Sequence, residues 1–298
     1  MHSMTITSGD LTLWARRDGK SENPPILLIA GANASHLMWP DEFVNLLVEK
    51  GFSVIRYDHR DTGRSTKIDF QASPYSVETL ANDAIAVLDG FGIAKAYVVG
   101  LSMGGTLAQV LLLDHPDRII SAVIMMTASL DVDFVGNLSR VYSGEAEPQG
   151  LPLPSRSILD QLSARAKPSN SESEELQKRV AEWMALSGNL AKIDAEEFHR
   201  WESLAIAHAG TYSQPSNHAL AKPVDTQRGV ELKRVSTPVL VVQGSQDPLN
   251  PPPHGKHLAE KIPSATLLEI AELGHSLPSS LHSKIVHHIA NHCHAHAA

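Results

Sequence analysis

One stretch, AYVVGLSMGGTLAQVLLLDHP at residues 96–116, constrains the fold more than any other. An apolar, β-branched run ends in Gly100-Leu101-Ser102-Met103-Gly104-Gly105 and becomes a helix-forming run without an intervening loop. Such an order suits a strand that delivers the chain straight into a helix through a very tight turn. Glycines flank the turn because the strand and helix backbones converge there. Ser102 sits at the apex, with a strained backbone and its hydroxyl lifted above the strand end. The helix that follows aims its amino end at that hydroxyl and favours any negative charge that develops nearby. The pattern G-x-S-x-G at a strand-to-helix junction fits a nucleophile elbow, with a purely structural Gly-Ser turn as the alternative.

The surrounding pattern supplies the sheet. TITSGDLTLWAR reads as two alternating strands about the Gly9-Asp10 turn, an antiparallel start. Short apolar runs follow: PPILLIAG at 24–31, FSVIRYD at 52–58, AYVVGL at 96–101 and IISAVIMM at 119–126. Runs apolar on both faces suit parallel strands covered by helices on both sides. Helical patterns lie between them, among them EFVNLLVEKG and SVETLANDAIAVLDGFG, the latter opened by Ser76 with Glu78 expected as its capping-box partner. This alternation predicts an α/β fold with a mostly parallel, doubly wound sheet and antiparallel N-terminal strands.

After Met126 the rhythm breaks. No strand pattern is evident from about Asp131 to Arg228, where helical segments remain at 171–188 and 194–210, stopped by Gly188 and Gly210. The alternation resumes with TPVLVVQG at 237–244, PPPHGKHLAEKIP, ATLLEIAE at 265–272 and a last helix from Pro278. The expected organisation is one core, residues 1–130 and 229–298, interrupted by a helical lid at 131–228.

Bulk properties narrow the function. A formal net charge of −8 argues against a nucleic-acid partner. One cysteine, Cys293, rules out an internal disulfide and fits a reducing compartment. The first residues lack the pattern of a signal peptide, and no apolar run reaches membrane-spanning length. A cytoplasmic protein without a membrane partner is expected; oligomeric state is not legible.

A serine hydroxyl needs a base to take its proton as it attacks. Of the sixteen histidines, His275 is selected because ELGHSLP lies just past the final strand, where side chains gather at the carboxyl edge of a sheet. His115 suits a helix C-terminus, and His59 would break the chain order. The base needs an orienting carboxylate, and VLVVQGSQDPLNP places Asp247 in the loop after the penultimate strand. Asp247 before Pro248 also reads as an ordinary Asx turn; Asp131 and Asp133 are rival acids. For the oxyanion, the Met103 N–H is one donor and Ala32, in the Gly31-Ala32-Asn33 turn after the first parallel strand, offers the second. Gly31, Asn33, Trp39 and Phe134 are expected around the substrate, with Met38, Met103, Trp183, Phe198 and Trp201 as further candidates for an apolar lining. Two segments are set aside. DHRDTGRST, with His59-Arg60-Asp61, reads as a buried, charge-paired loop. HSKIVHHIANHCHAHAA reads as a fraying tail whose histidines bind metal only adventitiously, so no metal is expected.

With these residues placed, the chain resembles the serine α/β-hydrolase family, in particular the aclacinomycin methylesterase group. The resemblance spans nearly the whole length and rests on WPDEF, VIRYDHRDTGRST, VVGLSMG, LDVDF, HGKHLAEKIP and LGHSLPSS, with DAEEFHRWE of the lid matching less tightly. It implies the α/β-hydrolase fold, a triad of Ser102, Asp247 and His275, an oxyanion hole from Ala32 and Met103, and cofactor-free ester hydrolysis. Ala32 stands where the family pattern has glycine. The expected activity is that of a carboxylesterase acting on a small-molecule ester, methyl esters included, through an acyl-enzyme. The alternatives are a cofactor-free haloperoxidase, a carbon–carbon bond hydrolase on the same triad, and a non-catalytic small-molecule receptor.

Overall fold

The computed structural model describes residues 2–165 and 167–297; Met1, Ala166 and Ala298 lie outside the described residues. The two alternating N-terminal runs form β1 (His2–Ser8) and β2 (Leu11–Asp18), paired antiparallel around Gly9 at φ +58°. The apolar runs become β3 (Pro25–Ile29), β4 (Ser53–Tyr57), β5 (Ala96–Leu101), β6 (Ile119–Met125), β7 (Val239–Gly244) and β8 (Ala265–Ile270). Together they make one eight-stranded sheet in the order β1-β2-β4-β3-β5-β6-β7-β8. Pairing is antiparallel for β1–β2 and β2–β4 and parallel from β4 through β8.

The continuous apolar character of the central strands has a direct cause. Side chains alternate faces along a strand, and here both faces are covered. Leu27 and Ile29 of β3 pack under α2 (Val77–Gly90) and α3 (Met103–Asp114) with Leu80, Leu88, Leu107 and Leu111. Ile26 and Leu28 face the opposite side, under α1 (Asp41–Glu49) and α9 (Ser279–Ala295) with Phe43, Leu47, Ile285 and Ile289. Each fully buried leucine contributes about 1.5–3 kcal/mol. β8 differs: as an edge strand it is covered less well, and Leu267 is exposed.

Between β6 and β7 the described residues contain no named strand. They fold as α4 (Phe134–Ser143), α5 (Arg156–Arg165), α6 (Glu172–Leu186) and α7 (Ala195–Ala209), followed by short 3-10 turns at Asn217–Ala219 and Thr226–Arg234. Ser171 and Asp194 cap α6 and α7, and α7 ends at left-handed Gly210. The last α-helix before α9 is α8 (His254–Lys261). Among the described residues no helix is long and apolar enough to cross a membrane.

Two local expectations need correction. Ser76 does cap α2 through a capping box, but its reciprocal partner is Thr79, the third helical residue, and not Glu78. Glu78 is one position too early for its side chain to return to the Ser76 N–H. The histidine-rich tail is not frayed: α9 runs to Ala295, Cys293 is fully buried, and His294 stacks on Phe52 with ring centroids 4.8 Å apart. Burial pushes the Cys293 thiol up to about 12, so it stays protonated.

Candidate active site

Leu101 ends β5 and Met103 begins α3, leaving Ser102 as the single residue of the turn. Its backbone sits at φ +57°, ψ −121°, a conformation that costs an L-residue roughly 1–3 kcal/mol. The surroundings hold it there. Ser102 N–H donates to Met125 O at 3.0 Å, and its carbonyl accepts from Gly105 N–H at 2.8 Å and Thr106 N–H at 3.1 Å. A Cβ on Gly100 would run into the Gly104 carbonyl, and one on Gly104 into the Ile29 carbonyl. The elbow therefore exists because strand, helix and the end of β3 pass too close for side chains.

Asp247 lies in the loop after β7 and is buried. Its Oδ1 accepts the N–H groups of Leu249 and Asn250, both at 2.8 Å, while Oδ2 accepts from His275 Nδ1 at 2.8 Å. One oxygen makes the Asx turn and the other holds the imidazole. His275 follows β8 and is buried as well. Its N–H donates to Leu186 O at 2.6 Å, and Ser276 Oγ lies 2.6 Å from Ser187 Oγ, so the end of α6 fixes this loop. With Nδ1–H engaged by the carboxylate, Nε2 is the free, basic nitrogen. Ser102 Oγ has no hydrogen-bond partner among the described residues; in enzymes without substrate such contacts are often long. The structure thus joins Asp247 to His275 and places both in loops at the strand ends that also carry Ser102.

The rivals are committed elsewhere. Asp131 pairs with His257 Nε2 at 3.1 Å and Lys261 Nζ at 2.8 Å, and these partners hold its carboxyl well below the usual range against the effect of burial. Asp133 caps α4 through Gly136 N–H at 2.9 Å. His115 is the C-cap of α3. His59 is fully buried with Nε2 3.0 Å from Ala30 O. Its neighbours form the charge-paired loop the sequence suggests: Arg60 grips Asp83 with two bonds of 2.7 Å, and Asp61 accepts from Tyr75 Oη at 2.7 Å.

In the turn after β3, three of four N–H groups are spent. Gly31 N–H points at Met38 Sδ at 3.0 Å, Asn33 N–H donates to His218 Nδ1 at 2.8 Å, and Ala34 N–H reaches Gly31 O at 3.4 Å. The Ala32 N–H has no acceptor among the described residues, nor does that of Met103 at the start of α3. Gly31 abuts the nucleophile: a Cβ built on it would lie 3.5 Å from the Ser102 Cβ. Sequence reasoning did not find His218; it is remote in the chain and one histidine among sixteen, with no motif around it.

Of the apolar candidates, Met38, Trp183, Phe198 and Trp201 line one small cavity of about 20 Å³ with Leu37, Glu202 and Leu277. Met38 connects it to Gly31, and Leu277 stands two residues beyond His275. Trp39 is not part of it. That indole is fully buried in the core against Phe43, with ring centroids 5.4 Å apart, and presents no surface to a substrate. Phe134 opens α4, half-buried, and does not line that cavity either.

One cluster has metal-ligand residue types: His36, Asp58 and His208, beside a groove of about 500 Å³ that includes Trp14 and Arg64. Asp58 Oδ1 lies 2.8 Å from His36 Nδ1, and Oδ2 lies 2.7 Å from His208 Nε2. Asp58 also accepts His36 N–H at 3.0 Å and Arg64 N–H at 2.8 Å. These are hydrogen-bond separations; ligand atoms about 2 Å from a tetrahedral zinc lie about 3.3 Å apart. With four donors already on one carboxylate, the donor set fits a hydrogen-bonded tie between α7 and the turn after β3.

Residues 24–279 match the family described by the alpha/beta hydrolase fold. The chain is 45% identical over 295 residues to rhodomycin D methylesterase DnrP of Streptomyces peucetius, and 44% identical to rhodomycin D methylesterase DauP of Streptomyces sp. strain C5, covering 99% of each chain in both cases. Among solved structures, an esterase from Exiguobacterium antarcticum superposes with a TM-score of 0.73 at 18% identity, over 97% of this chain and 98% of that one. With its elbow, sheet order and near-complete family match, the chain belongs to the α/β-hydrolase family.

Proposed function

We propose that the protein is a carboxylic ester hydrolase in which Ser102, His275 and Asp247 form the catalytic triad. His275 Nε2 takes the Ser102 hydroxyl proton as the oxygen attacks the acyl carbon. The carbonyl oxygen becomes an oxyanion held by the Ala32 and Met103 N–H groups. As the intermediate collapses, the carbon–oxygen bond to the alcohol breaks and His275 returns its proton to the departing alcohol. Water, deprotonated by His275, then releases the acid and restores Ser102. Asp247 keeps the imidazole in the tautomer that this cycle needs and steadies the imidazolium.

The observation that carries this reading is the buried Asp247–His275 bond in the loops beside a serine held in a strained turn. Two unspent N–H groups nearby support it. We read residues 131–228 as the lid over the site, since α6 and the 217–219 turn bond directly to the loops of His275 and Asn33. A small leaving alcohol is favoured. Support comes from relatives 44–45% identical over nearly the whole chain, which are rhodomycin D methylesterases. The substrate class proposed is therefore a methyl ester.

The test compares wild type with Ser102→Ala on p-nitrophenyl acetate and on methyl esters of aromatic acids. Hydrolysis by wild type and none by a folded Ser102→Ala protein is expected. Equal hydrolysis by both would overturn the assignment.

A further inference from the structure

The proposed oxyanion donor Ala32 sits in a turn whose shape is not its own preference. Gly31 to Ala34 closes through a long bond, 3.4 Å from Ala34 N to Gly31 O. Its third residue, Asn33, is left-handed at φ +57°, as in a type II turn. An L-residue holds that conformation at a cost, and a peptide flip in the turn would relieve it. What opposes the flip comes from 185 residues away: His218 Nδ1, 2.8 Å from the Asn33 N–H.

The chemistry of the contact fixes the histidine's state. His218 Nε2 lies 2.9 Å from Arg60 O, and a carbonyl can only accept. Nε2 therefore carries the hydrogen, and Nδ1 presents a lone pair to the Asn33 N–H. A charged ring would put two N–H groups face to face. Burial, with the nearby His59, lowers the His218 pKa to about 3, so the neutral ring persists across working pH. His59 packs edge-on against His218 at 5.5 Å between centroids and engages the Ala30 carbonyl, so two neutral histidines hold the turn at successive points.

We infer that His218 is a positioning residue of the oxyanion hole: by holding the Ala32–Asn33 peptide it fixes the turn in which the neighbouring Gly31–Ala32 peptide presents the Ala32 N–H. It touches neither substrate nor nucleophile and acts through one backbone bond. The inference rests on the proposed triad and oxyanion hole.

Two isosteric variants separate its two bonds. In His218→Asn the side-chain oxygen replaces Nδ1 and still accepts from Asn33. In His218→Gln the amide replaces Nε2 and bonds Arg60 O, leaving Asn33 unpaired. Loss of a whole oxyanion donor costs roughly 100- to 1,000-fold in kcat. Misaiming one is expected to cost about 10-fold for His218→Gln, with KM within about twofold. The Ki of a trifluoromethyl ketone, whose adduct with serine carries an oxyanion, should rise by the same factor. His218→Asn should recover most of both. His218→Leu, which fills the site without offering Asn33 an acceptor, should reproduce the split should His218→Gln fail to fold. Equal losses in the Asn and Gln variants, or an unchanged ketone Ki beside a lower kcat, would overturn the inference. A wild-type enzyme without Ser102-dependent hydrolysis would instead overturn the active-site reading, which separates the two failures.

Discussion

At the scale of single residues, Ser102 is held in place by close backbone approach. Gly104 has no room for a methyl group against the Ile29 carbonyl, so Gly104→Ala must push α3 away from β3 and relax the elbow. The expected result is at least a 100-fold loss of kcat with a melting temperature lowered by several degrees, read by steady-state kinetics and calorimetry. In the proposed cycle Asp247 acts through tautomer and orientation, with one oxygen committed to the Leu249–Asn250 turn and the other to His275. Asp247→Asn keeps that shape but presents the wrong partner to Nδ1. A fall in kcat of about 10,000-fold with folding intact is expected; a loss under tenfold would show that the pairing is structural. The placement of Ser102, Asp247 and His275 beside strand ends was legible in the sequence, because each follows an apolar run. Trp39 misled for the opposite reason: its neighbours in the chain are near the chemistry, but its ring turns inward onto Phe43. His218 left no local trace, because its role depends on a contact between the 31–34 turn and a segment 185 residues later.

Among the elements, α2 shows how one position decides a cap. Ser76 accepts from Thr79 N–H and Thr79 returns the bond. Ser76→Ala should cost about 1 kcal/mol in chemical denaturation, whereas Glu78→Gln should cost only a few tenths through the helix dipole. Within α6, Glu182 is half-buried, and burial raises its pKa to about 7 despite Arg165, with Glu202 adding to the rise. Because the folded value lies above the unfolded one near 4.5, the folded helix binds the extra proton between those values. Stability is therefore lost as pH rises through this window. Amide exchange in α6 should be faster at pH 8 than at pH 5, by on the order of 1 kcal/mol in opening energy, and Glu182→Gln should remove the difference. The helices α6 and α7 announced themselves by caps and spacing. In contrast, α4 and α5 are ten residues each in a proline-punctuated stretch. Too few turns fit in such lengths for apolar periodicity to stand out.

Over the whole molecule, the sheet was the readable part. Strands buried on both faces must be largely apolar, and that requirement writes itself into the chain at β3 through β7, with Ser53 and Arg56 of β4, Ser121 of β6 and Gln243 of β7 as buried polar exceptions. What covers the site was not readable, because it depends on which helix faces meet. The tail was misjudged on composition: its histidines flank Ile285, Ile289 and Cys293, which the core needs. Buried neutral histidines also set the acid limit of the fold. His36 is lowered to about 4 and His218 to about 3, in both cases chiefly by burial. The unfolded chain, with values near 6.5, binds more protons below that pH, so stability is present above 6.5 and lost as pH falls toward 4. About 2–3 kcal/mol from each is expected at pH 4. Melting temperature followed from pH 7 to pH 4 should fall steeply, and more shallowly in a folded His218→Asn variant.

The central claim is covalent: during turnover, the acyl group rests on Ser102. Rapid quenching after mixing with p-nitrophenyl acetate, followed by peptide mass mapping, reads this directly. One acetyl group on the peptide containing Ser102, formed within the burst of p-nitrophenol and absent from Ser102→Ala, is the predicted result. A burst without that adduct, or an adduct on another residue, would contradict it.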